Sequence, residues 1–517
     1  MPVLAHVRRL VVALLALAFA GIAAPTASAQ APAAALEGVL DVVWADPHPG
    51  AAAGRTRFRL ALADGRRLAL DMAPEIRTTA LQYAGRPVVV RGRTSEAAGR
   101  RTSVAVEAIE IDARAPAVTR PPTPTVRRVL FVLLRYKGDT QQPHTAAFYE
   151  ALTDPKTPNG RLAIPATING YYDRVSWGRL QWSADVVGKG GLRPTDWLTL
   201  PGTKADYADC GWDGDCADSD AIAADGLALV ARLGVDVTAY DDIGFVLNND
   251  MDCCALGGTY THAGKTYGAT WEPPWGQETG VYIHEFGHAI GLPHSGWVYF
   301  AYDNPWDDMS EGTASKKLAC GSYRSANSGG AVTPLTCTEP GSGFIAMHKQ
   351  WMGWLPAANI AVVDRASTRT VALEADALPL GAAAKMIRIC LPGHPCTGSK
   401  ARYLTVEART RVALYSKGLP GDGVIIHDVR MDRAPIGGTD ECFFNDESGW
   451  AVTIDATPGD WRPAPNCDAG GRSKPNYALY NAQFGVGKTY RNTTAGVKVE
   501  VLAKTATGYS VRVTRSK

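Results

Sequence analysis

Three histidines and one glutamate, His284, Glu285, His288 and His294, fall within eleven residues of a 517-residue chain that holds only ten histidines. His284 and His288 are four apart, so on a helix both imidazoles leave the same face one turn apart. Two imidazoles at that separation can share one zinc ion. Gly291 can take the left-handed conformation that ends a helix, and Pro293 cannot continue one. The chain then turns back and can bring up His294 as a third ligand. Three neutral imidazoles leave the fourth tetrahedral position open for water, which is the ligand count of a catalytic zinc site and not of a closed structural one. Glu285 lies beside the first ligand, turned toward the zinc-bound water and not toward the metal.

The stretch from His284 to His294 resembles, in full, the zinc-binding signature of the metzincin metallopeptidases, His-Glu-x-x-His-x-x-Gly-x-x-His. Asp307-Asp308-Met309-Ser310 is similar to the methionine turn of that family. The wording Gly291-Leu292-Pro293-His294-Ser295, followed by Asn304 to Met309, resembles the gametolysin-like group of secreted peptidases. It is also similar to the immune inhibitor A group, which has an aspartate at the third ligand position; His294 favours the gametolysin-like side. Looser similarity lies in Asn169-Gly170-Tyr171-Tyr172, in Met352-Gly353-Trp354-Leu355 and in Tyr403 to Glu407, so the resemblance spans roughly residues 128–430. It implies a metzincin-type catalytic domain, a zinc cofactor and a protein or peptide substrate. It also implies that Glu285 takes a proton from the zinc-bound water and delivers it to the leaving amine, with Met309 as an apolar floor and not a ligand. Tyr299 and Tyr302 are candidate donors to the oxyanion, although loop tyrosines commonly serve packing. No residue stands out as a substrate pocket.

These groups need a scaffold, and the pattern divides the chain into five stretches. Residues 1–29 read as a secretory signal peptide: Arg8 and Arg9, an apolar run from Leu10 to Ala24, and the small-residue site Ala27-Ser28-Ala29. Residues 30–112 form an N-terminal β domain or pro-segment. Strands are expected at Leu36–Val43, Arg57–Leu62, Arg67–Asp71, Pro87–Arg91 and Ser103–Ile111, with a hairpin turn at Ala63-Asp64-Gly65 and an OB-like barrel or a sandwich as the outcome. Residues 113–126 carry Pro116, Pro121, Pro122 and Pro124, a stiff linker. Residues 127–356 form the catalytic domain, mixed α and β. The continuous apolar run Arg128–Arg135 and Asp242–Leu247 are buried strands there. Helices are expected over His144–Leu152, Ala221–Leu233, Gly280–Ile290 and Phe344–Trp351. Residues 357–517 read as short strands separated by Gly, Pro and Asn, a β-sandwich. The fold class is therefore multidomain α+β.

Composition narrows the function classes. Charged residues make up 20% and the net charge is +2, too even for a nucleic-acid binder. Both arginines of residues 1–29 have no acidic counterpart there, so the excess belongs to that segment. No segment after it is long and apolar enough to span a membrane, which fits a secreted or periplasmic protein. All ten cysteines lie at or after Cys210. The nearest local pairs are Cys210 with Cys216, Cys320 with Cys337, Cys390 with Cys396, and Cys442 with Cys467. Cys253 and Cys254 are adjacent and need separate partners. A cysteine from residues 30–126 therefore cannot block the zinc. Asp213, Asp215, Asp218 and Asp220 could supply oxygens to calcium, but they lack the spacing of an EF-hand loop, and a solvated acidic loop fits better. Gly257-Gly258-Thr259 leads into a strand that could pair with an extended substrate or form an ordinary hairpin.

The expected function is thus a secreted zinc endopeptidase. The competing readings are an extracellular cell-wall or matrix binding protein with a secondary metal site, and a zinc hydrolase acting on a non-peptide bond.

Overall fold

Leu40, Val42 and Trp44 share one face of strand β1 (Ala34–Pro47) and enter one core, while Val43 and Ala45 on the opposite face enter another. A period of two thus gives a single strand two jobs. In the computed structural model, which describes residues 34–47, 56–95, 102–114, 125–153, 167–208, 217–251, 254–296, 304–310, 317–324, 331–338, 341–433, 449–458 and 477–517, β1 joins two regions of a multidomain, mostly β protein. Its first part closes a barrel with β2 (Arg57–Ala61), β3 (Arg67–Met72), β4 (Pro87–Ser95) and β5 (Ser103–Ile111). The strand order is β1-β2-β3-β5-β4 and back to β1, so of the two expected forms the barrel is the one present. The expected turn between β2 and β3 holds, with Gly65 at φ 86°. Helix α1 (Pro74–Leu81), absent from the sequence pattern, starts on Pro74 and drops Ala80 and Leu81 into the barrel core.

The second part of β1 leaves the barrel. Residues Val43 to Pro47 pair antiparallel with β10 (Cys254–His262), from Val43 opposite Gly258 to Pro47 opposite Cys254. β10 is the edge of a sheet that continues as β11 (Lys265–Glu272), β9 (Asp242–Leu247), β6 (Thr125–Arg135) and β7 (Leu180–Val187), with the short β8 (Leu198–Thr199) beside β6. β11, β9, β6 and β7 are mutually parallel; only β10 reverses, through a hairpin at Ala263-Gly264 where both φ angles are positive. β6 starts at Thr125, two residues inside the expected linker. Its run is apolar throughout because both faces are covered. Val129, Phe131 and Leu133 meet α2 (Ala146–Thr153), α3 (Ile168–Val175) and α5 (Thr279–Ala289), while Leu130, Val132 and Leu134 meet α4 (Ser219–Arg232).

A two-stranded pair, β12 (Lys317–Arg324) and β13 (Val332–Thr338), precedes helix α6 (Ala346–Trp351). Two more sheets complete the chain. One runs β14 (Ile360–Val363), β16 (Met386–Cys390), β17 (Arg402–Arg409), β18 (Gly423–Arg430), β19 (Ala451–Thr453). The other runs β15 (Ser367–Glu374), β22 (Gly508–Arg515), β21 (Val497–Lys504), β20 (Thr489–Asn492). Val371, Ile387, Val406, Ile426, Val499 and Val511 from both sheets share one core, the face-to-face packing of a sandwich. Cys390 and Cys396 form a disulfide at the end of β16, and Cys254 is disulfide-bonded as well. The other seven cysteines' side chains, and residues 1–29, lie outside the described part. No helix among the described residues is long and apolar enough to cross a membrane.

Candidate metal centre

Helix α5 carries His284, Glu285 and His288, all buried. It ends as the sequence demands: Gly291 has φ 92°, its N–H donates to the His288 carbonyl at 2.9 Å, and the Leu292 N–H donates to Gly287 at 2.9 Å. That paired closure satisfies the last carbonyls of the helix and reverses the chain. Pro293 and His294 follow, and His294 returns to the other two histidines.

The ring orientations follow from what holds the far nitrogens. His284 Nδ1 donates to the Asp308 carbonyl and His288 Nδ1 donates to the Leu292 carbonyl, each at 2.7 Å. A carbonyl only accepts, so in both rings the proton sits on Nδ1 and Nε2 presents a bare lone pair. His288 Nε2 lies 3.1 Å from His284 Nε2 and 3.2 Å from His294 Nε2. Lone pairs at that separation repel each other unless a cation lies among them.

A fourth donor completes the group, and it comes from β1. Asp46 places one carboxylate oxygen 3.0 Å from His294 Nε2 and the other 3.2 Å from His288 Nε2 and 3.4 Å from His284 Nε2. A tetrahedral zinc with ligands at about 2.0–2.1 Å has ligand-to-ligand edges of about 3.3 Å, so the four donors fit that ion. Among the described residues, Asp46, His284, His288 and His294 are the one group of such side chains close enough to share a metal. Burial pushes His288 down to about 3, keeping it neutral as a ligand must be.

Glu285 is buried against β10. A Cβ on Gly257 would stand 2.3 Å from the Glu285 carbonyl oxygen and 2.6 Å from its Oε2, so only glycine lets the glutamate sit there. Burial, then the charges of Asp46 and Glu272, push the Glu285 carboxyl well above the usual range. Trp44, two residues before Asp46 on the same strand face, stacks on His288 with ring centroids 4.6 Å apart and planes 9° from parallel.

Met309 is fully buried, and its Sδ lies 2.3 Å from where a Cβ on Gly287 would be, so it packs against the helix at the residue between His284 and His288. Its loop is fixed from several sides. Asp308 accepts from Tyr171 Oη at 2.6 Å and from the Gly343 N–H at 2.7 Å. Asn304 donates to Ser295, and Asp307 faces His348 at 3.0 Å. The structure therefore brings together His284, Glu285, His288, His294, Met309 and the helix-ending Gly291. Tyr299, Tyr302, Asp213 and Asp215 lie outside the described residues. Asp218 caps α4 through the Ala221 N–H, and Asp220 pairs with Arg59 at 2.8 Å, so both have structural partners.

Asp46, Trp44, Tyr171 as a buttress and Gly257 as a spacer were not found from sequence. One signal for Asp46 does exist there: Leu40, Val42 and Trp44 set an inward phase, and Asp46 is the next residue in it. An acid in phase with three buried apolar residues needs a partner of opposite charge. No protein-family model matches the chain, and no curated protein matches it either.

Proposed function

We propose that this chain is an exported zinc-dependent endopeptidase of the metzincin type. The observation that carries the reading is the convergence of three Nε2 atoms with Glu285 beside them, next to strand β10. The resemblance of His284–His294 to the metzincin signature and the leader-like residues 1–29 support it. His284, His288 and His294 would hold the ion. When bound, zinc supplies Lewis acidity that polarises a carbonyl and acidifies water. The protein's own groups do the rest. An extended peptide would pair with β10 on the side that Val43–Pro47 occupies in this structure. Glu285, beside the histidines, would accept in its carboxylate form a proton from the attacking water and return it to the leaving amine. Met309 and the Asp307–Asp308 loop keep the imidazoles in place.

A specific observation favours a second reading. Four protein donors make a closed site, and closed sites are structural, so the metal would then hold a binding protein together. The two part on activity. Peptide-library cleavage is to be measured with and without a chelator, on the full chain and on Asp46→Ala. Glu285→Gln in either background should lower turnover by about 10²–10⁴-fold with zinc retained, the range for a lost general base. Turnover unaffected by that change removes Glu285 from the mechanism.

A further inference from the structure

Residues 342–346 run between the Met309 loop on one flank and strand β17 of the C-terminal sandwich on the other. Their N–H groups face the loop: Ser342 and Gly343 donate to the two Asp308 carboxylate oxygens at 3.2 and 2.7 Å, and Ile345 donates to Asp307 at 3.3 Å. Their carbonyls face Arg409, which is buried and donates to Phe344 at 3.0 Å, to Gly343 at 3.2 Å and to Ser342. Glu407, on the same face of β17, accepts from the Arg409 guanidinium at 3.0 Å and from the Ala346 N–H at 3.2 Å. We infer that Arg409 is a positioning residue for the metal centre, acting through residues 342–344 and Asp308 on the ring of His284. The inference rests on the metal-binding side of the peptidase reading. It adds that the C-terminal sandwich is a working part of the centre and not an appended binding module.

Three observations carry this role. First, the relay is short and unbroken. Gly343 and Asp308 bond in both directions, since the Asp308 N–H donates back to the Gly343 carbonyl at 3.3 Å. The Asp308 carbonyl then accepts from His284 Nδ1 at 2.7 Å, the bond that aims Nε2 at the other donors. Second, the chemistry is specific to arginine. One planar guanidinium spreads five N–H donors over a fork and serves three carbonyls and a carboxylate together. A lysine ammonium has three donors for the same four acceptors. A cation on the carbonyl side and a carboxylate on the N–H side also polarise the intervening peptide groups in one sense, which strengthens both sets of bonds.

Third, the C-terminal region touches the centre at two further points. Trp306, two residues before Asp308, donates through Nε1 to the Leu479 carbonyl at 2.6 Å and packs with Leu419 and Ile425. Gly449 has φ 64°, and a Cβ there would stand 1.7 Å from the carbonyl oxygen of His294. The same region therefore stands behind two of the three histidines, reaching His284 through a relay and His294 through direct backbone contact.

The test uses the full chain, loaded with zinc or with cobalt, and two changes at this point. Arg409→Lys keeps the charge and loses the fork; the double variant Arg409→Met with Glu407→Gln removes the ion pair as a unit, so neither charge is left buried alone. Val511→Ala, in the sandwich core on β22, is the control for lost stability. Zinc affinity, read by competition with a chelator, should weaken about tenfold in both Arg409 variants, the lower end for a lost contact behind a ligand. The visible bands of the cobalt form should shift in both. Val511→Ala should lower the unfolding temperature and move neither reading. Arg409→Lys with the parent's zinc affinity would mean that charge alone suffices and would overturn the relay. Unchanged zinc affinity and cobalt spectrum in the folded double variant would overturn it too, as would equal changes in Val511→Ala. A parent chain that takes up no zinc refutes the metal reading itself, so the two fail separately.

Discussion

The candidate metal centre is assembled from two regions that differ in how they hold a donor group. The α5 stretch supplies three donors within eleven residues, each set by local backbone: a helical turn, a glycine closure, and carbonyls that fix two rings. β1 supplies one donor, set by strand register against β10, more than 200 residues away in the chain. The first arrangement is built within one short stretch of chain. The second exists only while two strands stay paired. The two can therefore be altered separately, and neighbouring glycines on β10 mark the division. Gly257 faces Glu285 on α5, and Gly258 faces Val42 and Val43 on β1.

Adding a methyl group at each glycine separates the two regions most strongly. Gly257→Ala forces a Cβ into the Glu285 backbone, which cannot yield, and should cost about 3 kcal/mol or more of stability while disturbing Glu285. Thermal unfolding and turnover should both fall. Gly258→Ala meets the β1 backbone instead and should keep metal content. If both variants lose the metal alike, the division between the two sides is wrong.

The same division governs what the sequence discloses. The histidine set is legible because its spacing and its stop signals act within three helical turns. The barrel strands are legible from alternation, and β6 from its unbroken apolar run. Helix α3 is not legible: Ile168-Asn-Gly-Tyr-Tyr-Asp-Arg-Val175 contains a glycine and poor helix formers. It forms because Thr167 caps the Gly170 N–H and because Tyr171 and Tyr172 are buried under α5. Asp46 is hidden for a deeper reason. Alternation shows which way a strand's side chains point but not which edge it will join, and that pairing decides whether Asp46 meets solvent or three imidazoles. The expected strand over Leu36–Val43 ends three residues before Asp46.

Docking of β1 also carries a pH dependence of its own. Burial raises the Asp41 carboxyl to about 6 against the pull of Arg67 and the Thr261 hydrogen bonds. The native state then holds this proton where the unfolded chain, with a carboxyl near 3.8, has released it. The contribution is therefore most favourable below about pH 4 and is lost as pH rises to about 6, by about 3 kcal/mol in total. The stability difference between pH 4 and pH 6.5 should be smaller in Asp41→Asn than in the parent. Identical pH profiles would show that Asp41 does not tune the docked strand.

The smallest effect tests what supports the α5 side. Tyr171 does not touch the histidines, but its hydroxyl donates to Asp308, whose carbonyl holds His284 Nδ1. Tyr171→Phe leaves the buried Asp308 carboxyl with its Gly343 and Ser342 N–H donors and without its shortest partner. The expected cost is about 1–2 kcal/mol in unfolding free energy. If the loop also sets the histidine, zinc affinity should weaken by up to about tenfold, the lower end for a lost outer-shell contact. A fall in stability with zinc affinity unchanged would confine Tyr171 to packing. A fall in both would place Tyr171 among the residues that position the three nitrogens.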